Sequence, residues 1–478
     1  MSALLVLGLL ACQGDDPMHT SPLETTTGEA TGHTGAASTP PNVLVLLADD
    51  QGLDSIGVYG LHPTPPPTPN LDALAAEGVR FDNAWAHPVC SPSRAALLTG
   101  RVGRRTGAGD TYVYLGSNQV RTDEVMIPRM LDQAVDSWAT AAVGKWHLAA
   151  YNSEENVNHP LAMGFGSFTG TMSNLGDFVL QDGLDHGYHH WEQAVDGTLV
   201  KNDTYATTFE VDEAIRLIDT LPEPWFVYVA FHAPHSPFDI PPDELTPTTD
   251  ADERSPKAER YPLVVEALDQ EIGRLLRHVD DGGHRDDTLV IYAADNGTPA
   301  DVVLPPWDPS RAKNSPFEGG IRVPMLIRGP GVQAGATTDA LVHIADVFAT
   351  VADTAGVGLG DEASGDLAGV TIDGASLWPL LRDPGASWQR TWLHSEKFSP
   401  NGPGPYNLDW RMTREARFKV IEVSEDAPLA VYDLDAAPVE VGPPIDVTGL
   451  PAADQALVEA LIEEHQRFFE EAAERPGL

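Results

Sequence analysis

Four apolar runs in this chain end abruptly in polar clusters, and that pattern constrains the fold more than any other feature. Asn42 to Leu47 is continuously aliphatic and ends in Ala48-Asp49-Asp50. Trp138 to Val143 ends in Gly144-Lys145-Trp146-His147, and Trp225 to Phe231 ends in His232-Ala233-Pro234-His235. Thr288 to Ala294 ends in Asp295-Asn296-Gly297. Unbroken aliphatic runs are expected of strands buried on both faces. Helical patterns intervene, as at Leu71 to Glu77 and Thr208 to Ile218. Alternating strands and helices predict an α/β fold: a large, mostly parallel central sheet flanked by helices. Ligands bind such sheets outside the carboxyl ends of the strands, so all four polar clusters should share one edge.

Length sets the scale of the rest. The 478 residues suffice for a large α/β domain and a smaller one. Phe418 to Val423 and Ala430 to Leu434 read as strands and Ala452 to Ala473 as a closing helix. Residues 41–385 are therefore expected to form the main domain. Residues 386–478 should form a smaller antiparallel sheet plus helix.

The net charge of −42 argues against nucleic acid or an anionic membrane surface as partner, because like charges repel. It also favours a small anionic ester over a long polyanion. Lysine occurs only at 145, 201, 257, 313, 397 and 419. No apolar run reaches the length of a spanning helix. Ala3 to Ala11 reads as a short signal region, and Leu9-Leu10-Ala11-Cys12 resembles a bacterial lipobox, although a basic segment before it is missing. Residues 13–40 are rich in Thr, Gly, Ser and Pro and read as a tether reaching roughly 30 Å. An exported protein, periplasmic or at the cell surface, with any membrane contact through an N-terminal lipid anchor, is the expectation.

Asp49, Asp50, Asp295 and Asn296 offer oxygen ligands only, which suits Ca²⁺ or Mg²⁺ better than zinc. The bland alternative is a set of capped strand ends, since Asp-Asp and Asp-Asn-Gly are also turn sequences. The chain has two cysteines, Cys12 and Cys90, and no disulfide is expected between them. Cys90 opens a segment reading Cys-Ser-Pro-Ser-Arg-Ala-Ala-Leu-Leu-Thr-Gly-Arg to Arg101. Pro92 suits the first turn of a helix and Gly100 its end. A thiol at a helix N-terminus near Arg94 is expected to have a lowered pKa.

That segment resembles the signature of the sulfatases, a formylglycine-dependent, arylsulfatase-like family of the alkaline phosphatase superfamily. Thr68-Pro69-Asn70-Leu71-Asp72, Gly144 to Leu148, and Lys313 with Glu318-Gly319-Gly320-Ile321-Arg322-Val323-Pro324 are similar to further family segments, as is Asp373 to Leu377. The resemblance runs from about residue 41 to about 440. It implies a sulfuric ester hydrolase that cleaves a sulfate monoester to alcohol and inorganic sulfate. Cys90 would be oxidised by a formylglycine-generating maturation enzyme, and the aldehyde hydrate would be the nucleophile. Asp49, Asp50, Asp295, Asn296 and modified Cys90 would hold one divalent ion, Ca²⁺ or Mg²⁺. Asp295 would serve as base, Arg94 would steady the nucleophile, and Lys145 and Lys313 would bind sulfate oxygens. His235 would bind substrate and protonate the leaving alcohol, and His147 would take the proton whose loss expels sulfate.

Other residues carry weaker expectations. His232 is expected in the core or behind the site, with Thr171 and Ser173 as candidate polar groups nearby. Arg101 is expected to be structural, and His186, His189 and His190 to form a polar loop. Tyr188, Trp191 and Trp307 are either sugar-stacking or core aromatics. The partner is expected to be a small-molecule or carbohydrate sulfate ester. Phosphonate monoester or phosphodiester hydrolysis is the nearest alternative, because the same groups bind either tetrahedral anion. A non-catalytic binding lipoprotein is the other.

Overall fold

The computed structural model describes residues 40–112, 119–150, 154–175 and 186–473. The signal and lipobox at 1–12, and all of the tether but Pro40, lie outside the described residues. The strands are β1 (Asn42–Ala48), β2 (Val79–Trp85), β3 (Ala139–Lys145), β4 (Ser167–Thr171), β5 (Trp191–Val195), β6 (Thr198–Asn202) and β7 (Trp225–Ala230). They continue with β8 (Thr288–Ala294), β9 (Met325–Arg328), β10 (Ala336–His343), β11 (Leu393–Ser399), β12 (Leu408–Arg414), β13 (Phe418–Glu422) and β14 (Ala430–Asp433). The first ten form one sheet in the order β10-β2-β9-β8-β1-β7-β3-β4-β5-β6. Its centre, β8-β1-β7-β3-β4, is parallel, while β9, β5 and β6 pair antiparallel. The sheet is thus mostly parallel, as its aliphatic runs predicted.

Register explains why the polar clusters converge. Leu47 of β1 lies beside Ala230 of β7, Ala48 beside Ala294 of β8, and Gly144 of β3 beside Ala230. The backbone stitching continues one step past the strands: Asp49 N donates to Ala233 O and Asp295 N to Ala48 O, each at 3.1 Å. Every residue of β1, β7 and β8 is buried, so a slip would push aliphatic side chains against charged ones. The third run differs in its ends. Strand β3 starts at Ala139 rather than Trp138 and carries Lys145 as its last residue. Gly144 there has φ +89°, and a Cβ on it would stand 2.1 Å from Ala230 O, so no other residue fits before Lys145.

The helix Cys90–Thr99 follows β2, and all ten of its residues are buried. Gly100 closes it in the left-handed conformation, φ +68°. The last four strands form a separate antiparallel meander, β11-β12-β13-β14. One face contributes Leu393, Met412, Ile421 and Tyr432 to a cluster with Trp85, Ile321 and Leu341 of the main sheet side. On the other, Phe418, Val420 and Val431 pack on Val458 and Leu461 of the helix Ala452–Ala473.

Candidate active site

The carboxyl ends of β1, β3, β7 and β8 and the N-terminus of the helix Cys90–Thr99 meet in one buried cluster. Ligand atoms of Asp49, Asp50, Cys90 and Asp295 lie within 4.8 Å of one another. The Cys90 thiol donates to Asp49 Oδ1 at 3.3 Å. Lys145 Nζ stands 3.6 Å and Lys313 Nζ 3.8 Å from the same sulfur. Lys145 also pairs with Asp49, and Lys313 with Asp50. His235 Nε2 lies 3.6 Å from Asp50 Oδ2.

Arg94 is fully buried. Its Nε and Nη2 both donate to Asp295 Oδ2, at 3.0 and 2.8 Å, and Nη1 donates to Lys145 O at 2.8 Å. The guanidinium therefore fixes Asp295 and the end of β3. Asn296 donates from Nδ2 to Asp50 Oδ1 at 2.8 Å, while its buried Oδ1 has no hydrogen-bond partner among the described residues. Asp50 and His147 adopt positive φ, +71° and +56°. Non-glycine residues in this region cost of order 1 kcal/mol each and persist where surroundings enforce them. For His147 the enforcement is visible: its N donates to Met172 O at 3.0 Å, and its carbonyl accepts from Ser91 Oγ at 2.6 Å.

Burial and charge set the protonation states. Burial pushes Asp49 up, but Lys145, His235, Arg94 and Lys313 together hold it well below the usual carboxylate range. Asp50 is raised by burial, partly offset by Lys313. Asp295 is pushed up to about 6 by burial and by Asp49, against Arg94. His147 is lowered by burial, then by Lys145 and Arg94, and His235 is lowered to about 3, chiefly by burial. Both imidazoles are neutral at pH 7. Cys90 corrects an expectation: its pKa is well above the ordinary thiol value, not below it. Burial dominates, and Asp295 and Asp49 add to it, outweighing the lysines and the helix N-terminus.

The remaining candidates are placed as follows. His232 lies behind the site, with Nδ1 on Glu210 Oε1 at 2.5 Å and Nε2 on Thr171 Oγ1 at 2.6 Å. Thr171 in turn donates to Ser173 O at 2.5 Å. Arg101 pairs with Glu124 and donates to Thr371 O, a structural contact. His189 bonds Ile240 O, and His190 pairs with Asp203. Tyr188 and Trp191 are fully buried and Trp307 is 5% exposed, so their rings belong to the core rather than to a stacking platform. Glu210, Ser91 and Asp54 were missed by sequence reasoning. Glu210 is buried in the helix Ala206–Thr220, where its position on the inward face was the only signal. Buried Asp54 accepts from Thr298 Oγ1 and Leu304 N, at 2.8 and 2.9 Å, and so fixes the loop beyond β8. A second acidic group, Glu223, His284 and Asp287, sits at the amino ends of β7 and β8, the opposite edge, and is largely exposed.

The family model described as Sulfatase matches residues 41–357. The chain is 33% identical over 377 residues to human N-acetylgalactosamine-6-sulfatase, covering 73% of this chain and 67% of that protein. It also resembles the structure of Ps i-CgsB in complex with k-i-k-neocarrahexaose, with TM-score 0.74, 24% identity and coverage of 92% and 94% of the two chains. The structure of BT4656 in complex with its substrate D-glucosamine-2-N,6-O-disulfate aligns with TM-score 0.68, 21% identity and coverage of 91% and 98%. The chain spans 62% to 67% of the length of the first curated relatives it matches. The chain belongs to the sulfatase family of hydrolytic enzymes.

Proposed function

We propose that this protein hydrolyses a sulfate monoester of a carbohydrate or other small alcohol, releasing inorganic sulfate. The observation that carries the reading is the convergence of Cys90 Sγ, two lysine ammonium groups and three carboxylates at one strand edge. The names of the human relative and of the two sugar-bound structures support a carbohydrate sulfate. The acidity of the chain favours a small one.

The donor set fits a hard divalent cation, Ca²⁺ or Mg²⁺. Asp49, Asp50, Asp295 and Asn296 would hold it, and the unpartnered Asn296 Oδ1 is a ligand atom with no other use. Bound there, such an ion supplies Lewis-acid stabilisation of charge on the sulfate group. Formylglycine at position 90 supplies a hydrate hydroxyl as nucleophile and so divides hydrolysis into two easier steps.

The chain's own residues do the rest. Lys145 and Lys313 flank the nucleophile position and bind sulfate oxygens as point charges. Arg94 holds Asp295 in the orientation a base for the attacking hydroxyl needs. His235 donates through Nδ1 to Ser236 O at 2.6 Å, leaving Nε2 turned toward Asp50. A sulfate group arriving beside it raises its proton affinity, so that Nε2 takes up a proton from water and then delivers it to the leaving oxygen. His147, neutral and with Nδ1 lacking a partner among the described residues, accepts the proton that resets the site. Maturation by a formylglycine-generating enzyme, export and a lipid anchor at Cys12 complete the proposal.

The deciding experiment uses protein from its native host. The mass of the tryptic peptide Phe81–Arg94 is measured, and turnover is compared on an aryl sulfate, N-acetylgalactosamine 6-sulfate and an aryl phosphodiester. A lighter aldehyde or its hydrate, with faster sulfate release, is expected. An unmodified thiol and no sulfate release would overturn the reading, and faster phosphodiester cleavage would reassign the ester.

A further inference from the structure

Lys313 occupies a segment without helix or strand, between residues 312 and 317. Nothing regular aims its ammonium at Asp50 and Cys90, so contacts from elsewhere must. Its own N–H donates to Thr298 O at 3.0 Å. The next residue, Asn314, has φ +65°, and its N–H donates to Pro88 O at 2.8 Å, two residues before Cys90. Asn314 Oδ1 accepts from Lys397 Nζ.

Lys397 belongs to β11 of the C-terminal meander, in register with Trp410 of β12, and its side chain is 9% exposed. Its ammonium lies 5.6 Å from the Trp410 ring centroid and 3.4 Å from Asp110 Oδ1. The Asp110 loop is itself anchored, since Asn401 Oδ1 accepts from Gly109 N and Asp110 N at 2.9 and 2.7 Å. Lys397 is therefore a nearly buried cation whose closest partner is a neutral amide oxygen, in a chain where acids outnumber lysines and arginines 71 to 29. Surface pairing would not need that geometry. A sheet-borne lysine that grips the turn beside Lys313 has a mechanical consequence: it fixes where Lys313 ends.

We propose that Lys397 is a positioning residue for Lys313, acting through Asn314 Oδ1 to hold that turn against the Pro88–Cys90 loop. The C-terminal meander thereby completes the sulfate-binding site without touching the substrate. This rests on the reading of Lys313 as a sulfate ligand. Misplacing a binding group by about 1 Å costs on the order of 100-fold in rate, which sets the scale of the effect.

The test compares wild type with Lys397→Met, Lys397→Arg, Asn314→Gly and the Lys397→Met/Asn314→Gly double variant. Inorganic sulfate affinity is measured by calorimetry, and kcat and KM on an aryl sulfate are corrected for formylglycine content. Lys397→Met is expected to weaken sulfate binding about 10-fold and lower kcat about 10- to 100-fold. Lys397→Arg should recover most of both. Asn314→Gly keeps the left-handed turn accessible and removes only the amide, so it reports even if Lys397→Met does not fold. It should match Lys397→Met, and the double variant should be no worse than either. Wild-type sulfate affinity and kcat in Lys397→Met or Asn314→Gly, or single effects that multiply in the double variant, would overturn the proposal. A wild-type protein inert toward both sulfate and its esters would instead sink the functional reading, and the role of Lys397 with it.

Discussion

Two clusters of buried charge in this molecule look alike by burial and differ in what their atoms are left to do. One is the strand edge, where Asp49, Asp50 and Asp295 face Arg94, Lys145 and Lys313. The other lies where the C-terminal meander meets the main domain, where Glu318 and Glu440 face Lys419 and Arg414. In the second, Glu318 Oε1 accepts from Lys419 at 3.1 Å, and Oε2 accepts from Arg414 at 3.1 Å and from Trp85 Nε1 at 3.4 Å. Glu440 Oε2 accepts from Glu318 N at 2.5 Å, and the Lys419 ammonium sits 4.9 Å from the Trp85 ring centroid. That network is closed by ion pairs, with Glu440 Oε1 2.7 Å from Lys419 Nζ, although Glu440 itself has left-handed backbone, φ +54°. The strand edge instead holds Asn296 Oδ1 and His147 Nδ1 with neither a hydrogen bond nor an ion pair among the described residues. Buried charge therefore does not distinguish a reactive site from a structural joint. Polar atoms left with neither a hydrogen bond nor an ion pair do.

Replacing Cys90 with alanine should break the comparison most severely. Steady-state sulfate release should fall by roughly 10⁴-fold or more, as when the nucleophile of a covalent mechanism is removed. Thermal unfolding should change little beside that. Residual turnover within tenfold of wild type would mean that the cluster works without position 90. Asp295→Asn comes next, because Arg94 spends two donors on that carboxylate at zero exposure. Arg94 would keep only Asp49, 3.6 Å away, as an ionic partner, and breaking a buried pair costs about 3–5 kcal/mol, visible in chemical denaturation. The same variant should also lose divalent metal by elemental analysis, and retention of a full equivalent of metal would remove Asp295 from the ligand set.

Lys419→Met tests the closed network. Glu318 and Glu440 would lose their shared cation, and stability should fall by about 3 kcal/mol. The kcat of the molecules that remain folded should stay within about twofold, because nothing in that network points at Cys90. A kcat loss matching that of Asp295→Asn would show the two clusters to be one functional unit.

What the sequence revealed and what it hid follow from the range of the interactions involved. The parallel sheet and its shared ligand edge were legible because each strand is an unbroken aliphatic run whose polar terminus is local information. The closing helix was legible to the residue, Ala452–Ala473. The Cys90 pKa was misread because a helix N-terminus and a nearby arginine are visible in sequence. The carboxylates of Asp49 and Asp295, 41 and 205 positions away, and complete burial are not. Glu318 lies in a motif beside Lys313, yet its carboxylate is committed to residues around 85, 414 and 419. Trp191 and Tyr188 could not be assigned to core or surface from the sequence, because what covers them comes from further along the chain: Phe209 meets the Trp191 ring edge-on and Tyr205 stacks on Tyr188.

The smallest expected effect concerns a group that burial alone perturbs. His87 lies beneath the Cys90 helix: its N–H donates to Ser93 Oγ at 2.9 Å, and its ring packs edge-on against His343 at 5.2 Å. Burial lowers its pKa to about 4 against an ordinary 6.5, with only the Glu396 carbonyl opposing. The folded state thus binds this proton more weakly than the unfolded chain. The stability His87 supports is fully present above pH 6.5 and is lost as pH falls toward 4, by up to about 3 kcal/mol. Asp54 and Glu396, both raised to about 6 chiefly by burial, work in the opposite sense and gain stability for the fold over the same range. The wild-type curve alone therefore mixes the two signs. The difference between wild type and His87→Gln isolates one of them: it should be largest near pH 7 and shrink by about 2–3 kcal/mol toward pH 4 in urea denaturation. A difference that stays constant across that range would mean that the His87 proton is exchanged with His343 or water, and that burial beneath the catalytic helix is less complete than the packing shows.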